Sequence, residues 1–390
     1  MRLVPLDGTP AGVAPLADAL RDALAGGPAV LPLDARNPAL DPLVAAMAPD
    51  EPVEPDTAVV IATSGSTGEA KGVLLSANAL RASATATHAR LGGPGSWLLA
   101  TPAQYIGGVQ VLVRSMVAGE PHGVVDLSVP FRGDPFADAA APGYRYTAMV
   151  PTQLIQLLDE GGRGLAALRA FDAVVIGAAA TPPTLARRAA DAGVTVVPAY
   201  GMSETASGCV YAGVPLDGLR LRLADADEQG VGRIELAGPM LAHGYRRSPE
   251  LTAEAFAGGW FRTGDAGRVA DGTLDVLGRT DDLINTGGVK IAPALVEQVL
   301  AAQPGVRAAC VVGVPDDRWG QAVVASVVPA DVANPPATGA LAAAVRERLG
   351  RAAVPKRIEF GAELPLRGPG KVDRSAVRRA LMQLLNGSDQ

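Results

Sequence analysis

Short apolar runs and amphipathic stretches take turns along most of this 390-residue chain. The run AVVIAT at 58–63 is short and wholly apolar, which predicts a buried strand. A Ser- and Gly-rich interruption separates it from a second apolar piece, GVLLS. A helix is expected to start near Ser76 or Asn78, either of which can cap it. Beyond that point WLLATP reads as a strand, 108–118 as a helix, TAMVP as a strand and TQLIQLLDE as a helix. AVVIG, PTLARRAADAG and TVVPAYG continue as strand, helix and strand. This alternation predicts an α/β fold with mainly parallel strands. LRLRLAD, GRIELAG and GTLDVLG then predict a β-rich subdomain. After GRTDD come the helix ALVEQVLAAQ, the strands AACVVGVP and AVVASVV, and the helix LAAAVRERLG. These predict a small, separate α+β domain, with the Pro- and Ala-rich piece at 329–338 as a loop. The expected division is therefore a large domain over 1–278 and a small one over 279–390. Within the first fifty residues one helix is expected, near Val13 to Leu24. No internal repeat is visible.

Composition narrows the classes. With 48% hydrophobic residues the chain has material for cores in two or three domains. No apolar run approaches the roughly 18 residues that span a bilayer, so membrane insertion is not expected. The start lacks the apolar block and small-residue cleavage site of a secretory signal. Cys209 and Cys310 form no metal or redox spacing, which favours a reducing cytoplasm. His88, His122 and His243 are scattered and cannot make a His-rich metal site. The net charge is −6, and the Arg pairs at 187–188, 246–247 and 378–379 are isolated, so no basic stripe marks a nucleic-acid partner. Of 34 basic residues only four are lysines: Lys71, Lys290, Lys356 and Lys371. Three of them sit in Gly-rich segments, which suggests tasks that a planar guanidinium cannot perform.

Thr63, Ser64, Gly65, Ser66, Thr67 and Gly68 lead through Glu69 and Ala70 to Lys71 and Gly72. Glycines let backbone N–H groups curl toward an anion, hydroxyls donate further hydrogen bonds, and a lysine adds a mobile charge. The segment suits a polyphosphate, or else is a plain Ser/Gly hairpin. It is not the P-loop pattern, because Gly72 stands where Ser or Thr should ligate magnesium. It resembles the signature loop of the adenylate-forming superfamily, which includes acyl-CoA synthetases, firefly luciferase and peptide-synthetase adenylation domains. Further segments follow in that family's order. Tyr200-Gly201-Met202-Ser203-Glu204-Thr205 resembles its YGxTE segment, and Gly259 to Asp265 its GWFxTGD segment. Gly278 to Asp282 resembles its GRxDD hinge, and Gly370-Lys371 its C-terminal catalytic-lysine motif. The chain before the loop is shorter than usual in the family, which implies a reduced N-terminal subdomain and leaves both a monomer and a homodimer open.

The resemblance implies a large domain that binds ATP and acid, a mobile C-terminal domain, and Mg²⁺, ATP and CoA as the groups handled. It implies that Lys371 contacts the acyl carboxylate and α-phosphate, with Lys71 and the loop at the phosphates. Glu204 would hold Mg²⁺, since that ion takes one or two carboxylates plus substrate phosphates. Ser203 and Thr205 would donate to phosphate, and Tyr200 would stack on adenine. Gly177, Ala178 and Ala179 align with the family's run along the adenine face. Asp265 and Arg279 would meet the ribose, unless they form only a surface ion pair. Asp281 would be the hinge. Gly287 and Gly288 would lie at the CoA arm or form a simple turn, and Lys290 would face phosphate or solvent.

Within the superfamily MVPTQLIQLL, YIGGVQVLVRSMVAG and YGMSETASGCVYAGVPLDG resemble the o-succinylbenzoate–CoA ligases of menaquinone biosynthesis. That acid keeps a second carboxylate, which needs a compensating charge when buried. Arg114, inside an apolar stretch, is the expected partner, unless it snorkels to the surface. Gln104, Tyr105, Gln153 and Ser207 are further candidates for the acid. Another aryl- or acyl-CoA ligase, or an adenylation enzyme loading a carrier protein, stays open. A catalytically dead nucleotide-binding protein is disfavoured, because Lys371, Glu204, Asp265 and Arg279 are all present.

Overall fold

The structure is a computed structural model that describes residues 1–64, 70–228, 230–367 and 371–387; for Ser64, Arg367, Lys371 and 385–387 it describes the backbone alone. A first sheet has the order Arg2–Leu6, Val30–Asp34, Thr57–Ser64, Ala70–Ser76 and Gly244–Tyr245. Its first three strands run parallel and the last two pair antiparallel. The first fifty residues thus supply two strands and a second helix, Leu40–Met47, besides the one expected helix, which spans Pro10–Leu24. Pro5 and Pro32 disguise those strands in the sequence, because a proline gives the ladder no N–H. The fold accommodates both: Arg2–Leu6 is an edge strand, and Val30–Asp34 pairs with Thr57–Ser64 only at Val30↔Val59, short of Pro32. Thr9 caps the helix, its hydroxyl accepting from Gly12 N at 3.0 Å, and Pro10 supplies a preset first turn.

A second sheet of seven strands carries the expected α/β alternation. Its order is Val214–Pro215, Ser207–Tyr211, Val196–Met202, Ala173–Ile176, Tyr146–Met149, Trp97–Leu99 and His122–Val124. The last five are parallel, and Ala173–Ile176 is buried along its whole length, as a strand covered on both faces should be. One face packs Leu154, Leu157, Phe136 and Phe171 against Val174 and Ile176. The other packs Leu80, Val109 and Leu112 toward the first sheet. Helix Ala77–Leu91 starts as expected on Ser76, whose hydroxyl accepts from Ala79 N at 3.0 Å.

The β-rich subdomain is an antiparallel sheet of Arg220–Ala224, Val231–Ala237, Trp260–Ala270 and Phe256–Ala257, with Thr273–Arg279 added on the long strand. Arg279 ends this sheet and Ile284 begins the next, with a single turn at Thr280–Asp282 between them. The C-terminal sheet joins Val289–Ile291, Ile284–Thr286, Gly320–Pro329, Val306–Asp316 and Arg357–Phe360. Helices Pro293–Ala301 and Thr338–Leu349 cover one face through Val296, Leu300, Leu341 and Val345. Helix Arg374–Gly387 covers the other through Val377 and Leu381. Among the described residues no helix is long and apolar enough to cross a membrane.

Candidate nucleotide and acid site

The phosphate-loop segment connects two strands paired antiparallel, in which Thr63 faces Lys71 and Ser64 faces Ala70. Gly65, Ser66, Thr67 and Gly68 lie outside the described residues, as does the Ser64 side chain. The Thr63 hydroxyl donates to Lys71 O at 3.4 Å, and Lys71 Nζ sits 5.5 Å from the centroid of the Tyr245 ring. Gly72 serves packing: a Cβ there would meet Met47 Sδ at 2.7 Å and Arg246 Cβ at 2.8 Å.

Parallel strands present their C-terminal ends on one edge, and ligands of such sheets bind outside that edge. Strand Val196–Met202 ends there in the single turn Ser203–Thr205. Gly201 is required in this turn, because a Cβ would lie 2.0 Å from Ser207 O as the chain doubles back. The Thr205 hydroxyl is fully buried, accepting from Met202 N at 2.9 Å and donating to Ser207 O at 2.7 Å. These hydrogen bonds close the turn. Ser203 is half-buried and Met202 ends the strand beside it. The Glu204 carboxylate accepts from the Tyr245 hydroxyl at 2.9 Å, through Oε1.

Three residues chosen for adenosine come together from three segments. Tyr200 Oη donates to Asp265 Oδ2 at 2.7 Å, and burial together with that carboxylate pushes the Tyr200 phenol far above its ordinary range. Arg279 Nη1 lies 3.8 Å from Asp265 Oδ1, while Nη2 lies 3.6 Å from Asp281 Oδ2. Gly264 makes room for this guanidinium, because a Cβ there would approach Arg279 Nη1 to 2.4 Å. Gly177, Ala178 and Ala179 leave the neighbouring strand at the same edge, with Ala178 held at φ 66° and both alanines exposed. A left-handed alanine is strained by about 1–2 kcal/mol.

The acid candidates divide. Gln153 Oε1 accepts from Val150 N at 3.1 Å and its Nε2 donates to Ala100 O at 2.7 Å. Gln153 therefore straps helix Pro151–Glu160 to the end of strand Trp97–Leu99. Gln104 Nε2 donates to Asp34 Oδ2 at 3.0 Å, tying the two sheets. Tyr105 is 44% exposed at the start of helix Ile106–Ala118, and Ser207 sits half-buried at φ 85° beside the Glu204 turn. Among the described residues neither hydroxyl is hydrogen-bonded.

Arg114 is elsewhere. It follows Ile106 by eight residues, about 12 Å along the helix, and ends against Trp97 and Tyr211 at the starting edge of the parallel strands. Its side chain is 1% exposed, so it does not snorkel, and its Nη2 donates to Tyr211 Oη at 3.2 Å. It belongs to a buried cluster with His88, Trp97 and Tyr146, remote from Tyr105 and Ser207.

In the small domain Asp281 is exposed and accepts from Thr280 Oγ1 at 3.1 Å. Gly287 and Gly288, at φ 60° and 83°, form the two-residue turn joining Ile284–Thr286 to Val289–Ile291. Trp319 packs on Gly287, where a Cβ would come within 2.7 Å of its ring, whereas a Cβ on Gly288 would meet nothing within 4 Å. Lys290 is exposed on the second strand. Lys371 opens strand Lys371–Val372, which pairs with Leu366–Arg367; its side chain lies outside the described residues.

Sequence reasoning passed over Tyr245 and Arg246. Arg246 is 5% exposed, and its guanidinium binds the carbonyls of Met47, Ala48, Glu51 and Pro52 and the Glu54 carboxylate. Arg246 is thus buried while its neighbour Arg247 is exposed, and the strand that carries Tyr245 is too short to show a period.

Known proteins resemble the chain over most of its length. The AMP-binding enzyme family matches residues 16–246, and the AMP-binding enzyme C-terminal domain matches residues 295–371. Over 381 residues the chain is 44% identical to a probable 2-succinylbenzoate–CoA ligase of Mycobacterium tuberculosis, covering 95% of this chain and 96% of that protein. The amide bond synthetase of Marinactinospora thermotolerans superposes with a TM-score of 0.76 at 31% identity, over 96% of this chain and 79% of that one. The o-succinylbenzoate coenzyme A synthetase of Bacillus subtilis, solved in complex with ATP and magnesium ion, superposes with a TM-score of 0.71 at 28% identity, over 83% and 70%.

Proposed function

Because this chain belongs to the family of AMP-binding enzymes and is an ATP-dependent acid–CoA ligase of the adenylate-forming kind, we propose that its acid is o-succinylbenzoate, activated for menaquinone biosynthesis. The observation that carries the choice of acid is the 44% identity to a probable 2-succinylbenzoate–CoA ligase over nearly the full length of both proteins. In the first step a carboxylate oxygen of the acid attacks the α-phosphorus of ATP. The bond to the bridging oxygen breaks, pyrophosphate leaves, and an acyl-adenylate forms. In the second step the CoA sulfur gives up its proton to solvent and attacks the acyl carbon, the acyl–oxygen bond of the mixed anhydride breaks, and AMP leaves with that electron pair.

The residues take the following parts. The Tyr200 ring and Gly177 to Ala179 hold adenine, Asp265 takes the ribose hydroxyls, and Arg279 shares that end. Asp265 is oriented for this by the Tyr200 hydroxyl at 2.7 Å. Lys71, Ser203 and the segment from Thr63 to Gly68 hold the phosphates. A carboxylate on the turn Ser203–Thr205 is a hard-oxygen donor that suits Mg²⁺, so Glu204 would hold that ion together with ATP phosphates. Magnesium, when bound, offsets phosphate charge. Lys371 supplies positive charge where the carboxylate and α-phosphate react, a contribution of about 10²–10³ in rate. Tyr105 and Ser207 offer hydroxyls to the acid.

The test is a panel of o-succinylbenzoate, an aryl monoacid and a fatty acid. Each is offered CoA, a carrier-protein thiol and an amine as acceptor. The expected result is the highest kcat/KM for o-succinylbenzoate with CoA. A higher value for another acid overturns the substrate. The amine is included because of the likeness to the amide bond synthetase, and amide as the main product would overturn the acceptor.

A further inference from the structure

The two-residue strand Gly244–Tyr245 connects parts of the site that no motif connects. It pairs with Ala70–Ser76 through Gly244↔Leu74 and Tyr245↔Val73. On one side of it Ala242 N donates to Glu204 O at 2.8 Å; on the other Arg246 N donates to Gly72 O at 2.7 Å. Arg246 then anchors the segment in the buried nest of carbonyls at 47–52. The Tyr245 side chain is held as firmly. It is 7% exposed and its ring meets Phe256 at 5.8 Å between centroids. Its hydroxyl reaches Glu204 Oε1 at 2.9 Å, and its ring lies under Lys71 Nζ at 5.5 Å. In that contact the Tyr245 hydroxyl is the donor and the Glu204 carboxylate the acceptor.

A lone carboxylate that must take a cation needs a fixed rotamer without losing its charge. A Lys or Arg partner would fix it and neutralise it together, whereas a neutral hydroxyl fixes it and leaves the charge in place. The Tyr245 ring also takes the contact with Lys71 while its hydroxyl takes Glu204, and those two residues form no ion pair among the described residues. We propose that Tyr245 is a positioning residue, whose hydroxyl presets the Glu204 carboxylate for the metal while its ring holds the Lys71 ammonium on the phosphate side. This rests on the reading of Glu204 as the magnesium carboxylate.

Tyr245→Phe keeps the ring and removes the hydroxyl. Two quantities are measured for it, for Glu204→Gln and for the double variant. One is the Mg²⁺ concentration for half-maximal ATP–pyrophosphate exchange. The other is calorimetric Mn²⁺ affinity in the presence of a non-hydrolysable ATP analogue. Tyr245→Phe is expected to weaken both by about tenfold, as for a hydrogen bond to a charged group, with the acid KM unchanged and the thermal midpoint close to wild type. In the Glu204→Gln background it should add nothing. If Glu204→Gln shifts the metal dependence and Tyr245→Phe does not, the positioning role is overturned and the reading of Glu204 survives. If neither variant shifts it, both fall. A Tyr245→Phe effect that persists at full size in the double variant also overturns the proposal, since the hydroxyl would then act through another group.

Discussion

A buried guanidinium needs a counter-charge, and Arg114 has a phenol and a ring instead. Tyr211 Oη lies 3.2 Å from its Nη2, the Trp97 ring centroid lies 4.8 Å from its Cζ, and no ion pair forms among the described residues. Burial holds its pKa below the usual guanidinium range, and beside it burial and then the Arg114 charge hold His88 down to about 4. Replacing even a buried ion pair by apolar side chains of similar volume is often neutral or stabilising by about 1–4 kcal/mol, and a buried guanidinium without a counter-charge has less to lose. Arg114→Met is therefore expected to leave the denaturant midpoint unchanged or higher. The ratio of kcat/KM for o-succinylbenzoate to that for an aryl monoacid should stay the same. A loss confined to the dicarboxylate would return Arg114 to the acid site. The sequence did reveal that Arg114 is inside, because its neighbours are apolar. It could not say which inside, since core and pocket differ only in which end of the sheet the helix has reached by its ninth residue. The same holds for Gln153 and Thr205, whose polar atoms look available until the backbone groups they bind are located.

Elements with a sustained period were legible: the parallel strands, the helices on them and the antiparallel subdomain follow their apolar patterns closely. Elements set by tertiary pairing were not. Val30–Asp34 and Gly244–Tyr245 exist because neighbouring strands offer them partners, against a proline in one case and a length of two residues in the other. The helix Arg374–Gly387 was likewise missed, and one residue fastens it. Arg374 makes a two-pronged contact with Glu297 of helix Pro293–Ala301, with Nη2 to Oε2 at 2.8 Å, and also donates to Val311 O at 2.9 Å. Its side chain is 31% exposed, so the pair is worth less than a buried one, roughly 2 kcal/mol. Arg374→Ala should speed amide exchange in Arg374–Gly387 and Pro293–Ala301 while leaving strand Ala173–Ile176 unchanged. Lys at the same position should rescue little, because an ammonium cannot bind both carboxylate oxygens in a fork. Uniform acceleration across the chain would mean that the contact is not local to this helix.

Across the whole molecule one site has to serve two reactions, and the chain offers a place to turn. Between Arg279, last in its sheet, and Ile284, first in the next, the backbone makes one turn, and the Asp281 side chain is 68% exposed. Rotation there would sacrifice the 3.6 Å Arg279–Asp281 pair and the Thr280 hydrogen bond, both at the surface and cheap to lose. If the small domain presents Lys371 for adenylation and then turns, the half-reactions should separate by mutation. Lys371→Ala is expected to slow adenylate formation by about 10²-fold or more. Supplied with ready-made acyl-adenylate, the same variant should transfer the acyl group to CoA at close to the wild-type rate. Gly288→Leu should do the reverse. A Cβ on Gly288 has no atom within 4 Å, so the larger side chain projects outward where a CoA arm would pass. Its φ of 83° costs a non-glycine residue about 1–2 kcal/mol, which a thermal midpoint measured alongside would register. Single-turnover kinetics of each half-reaction for both variants give the four rates needed. Misfolding depresses both steps together, so a crossed pattern points to two orientations of one domain. Parallel losses in both steps, with folding intact, would mean that Lys371 and the Gly287–Gly288 turn act in a single arrangement and that the domain does not alternate.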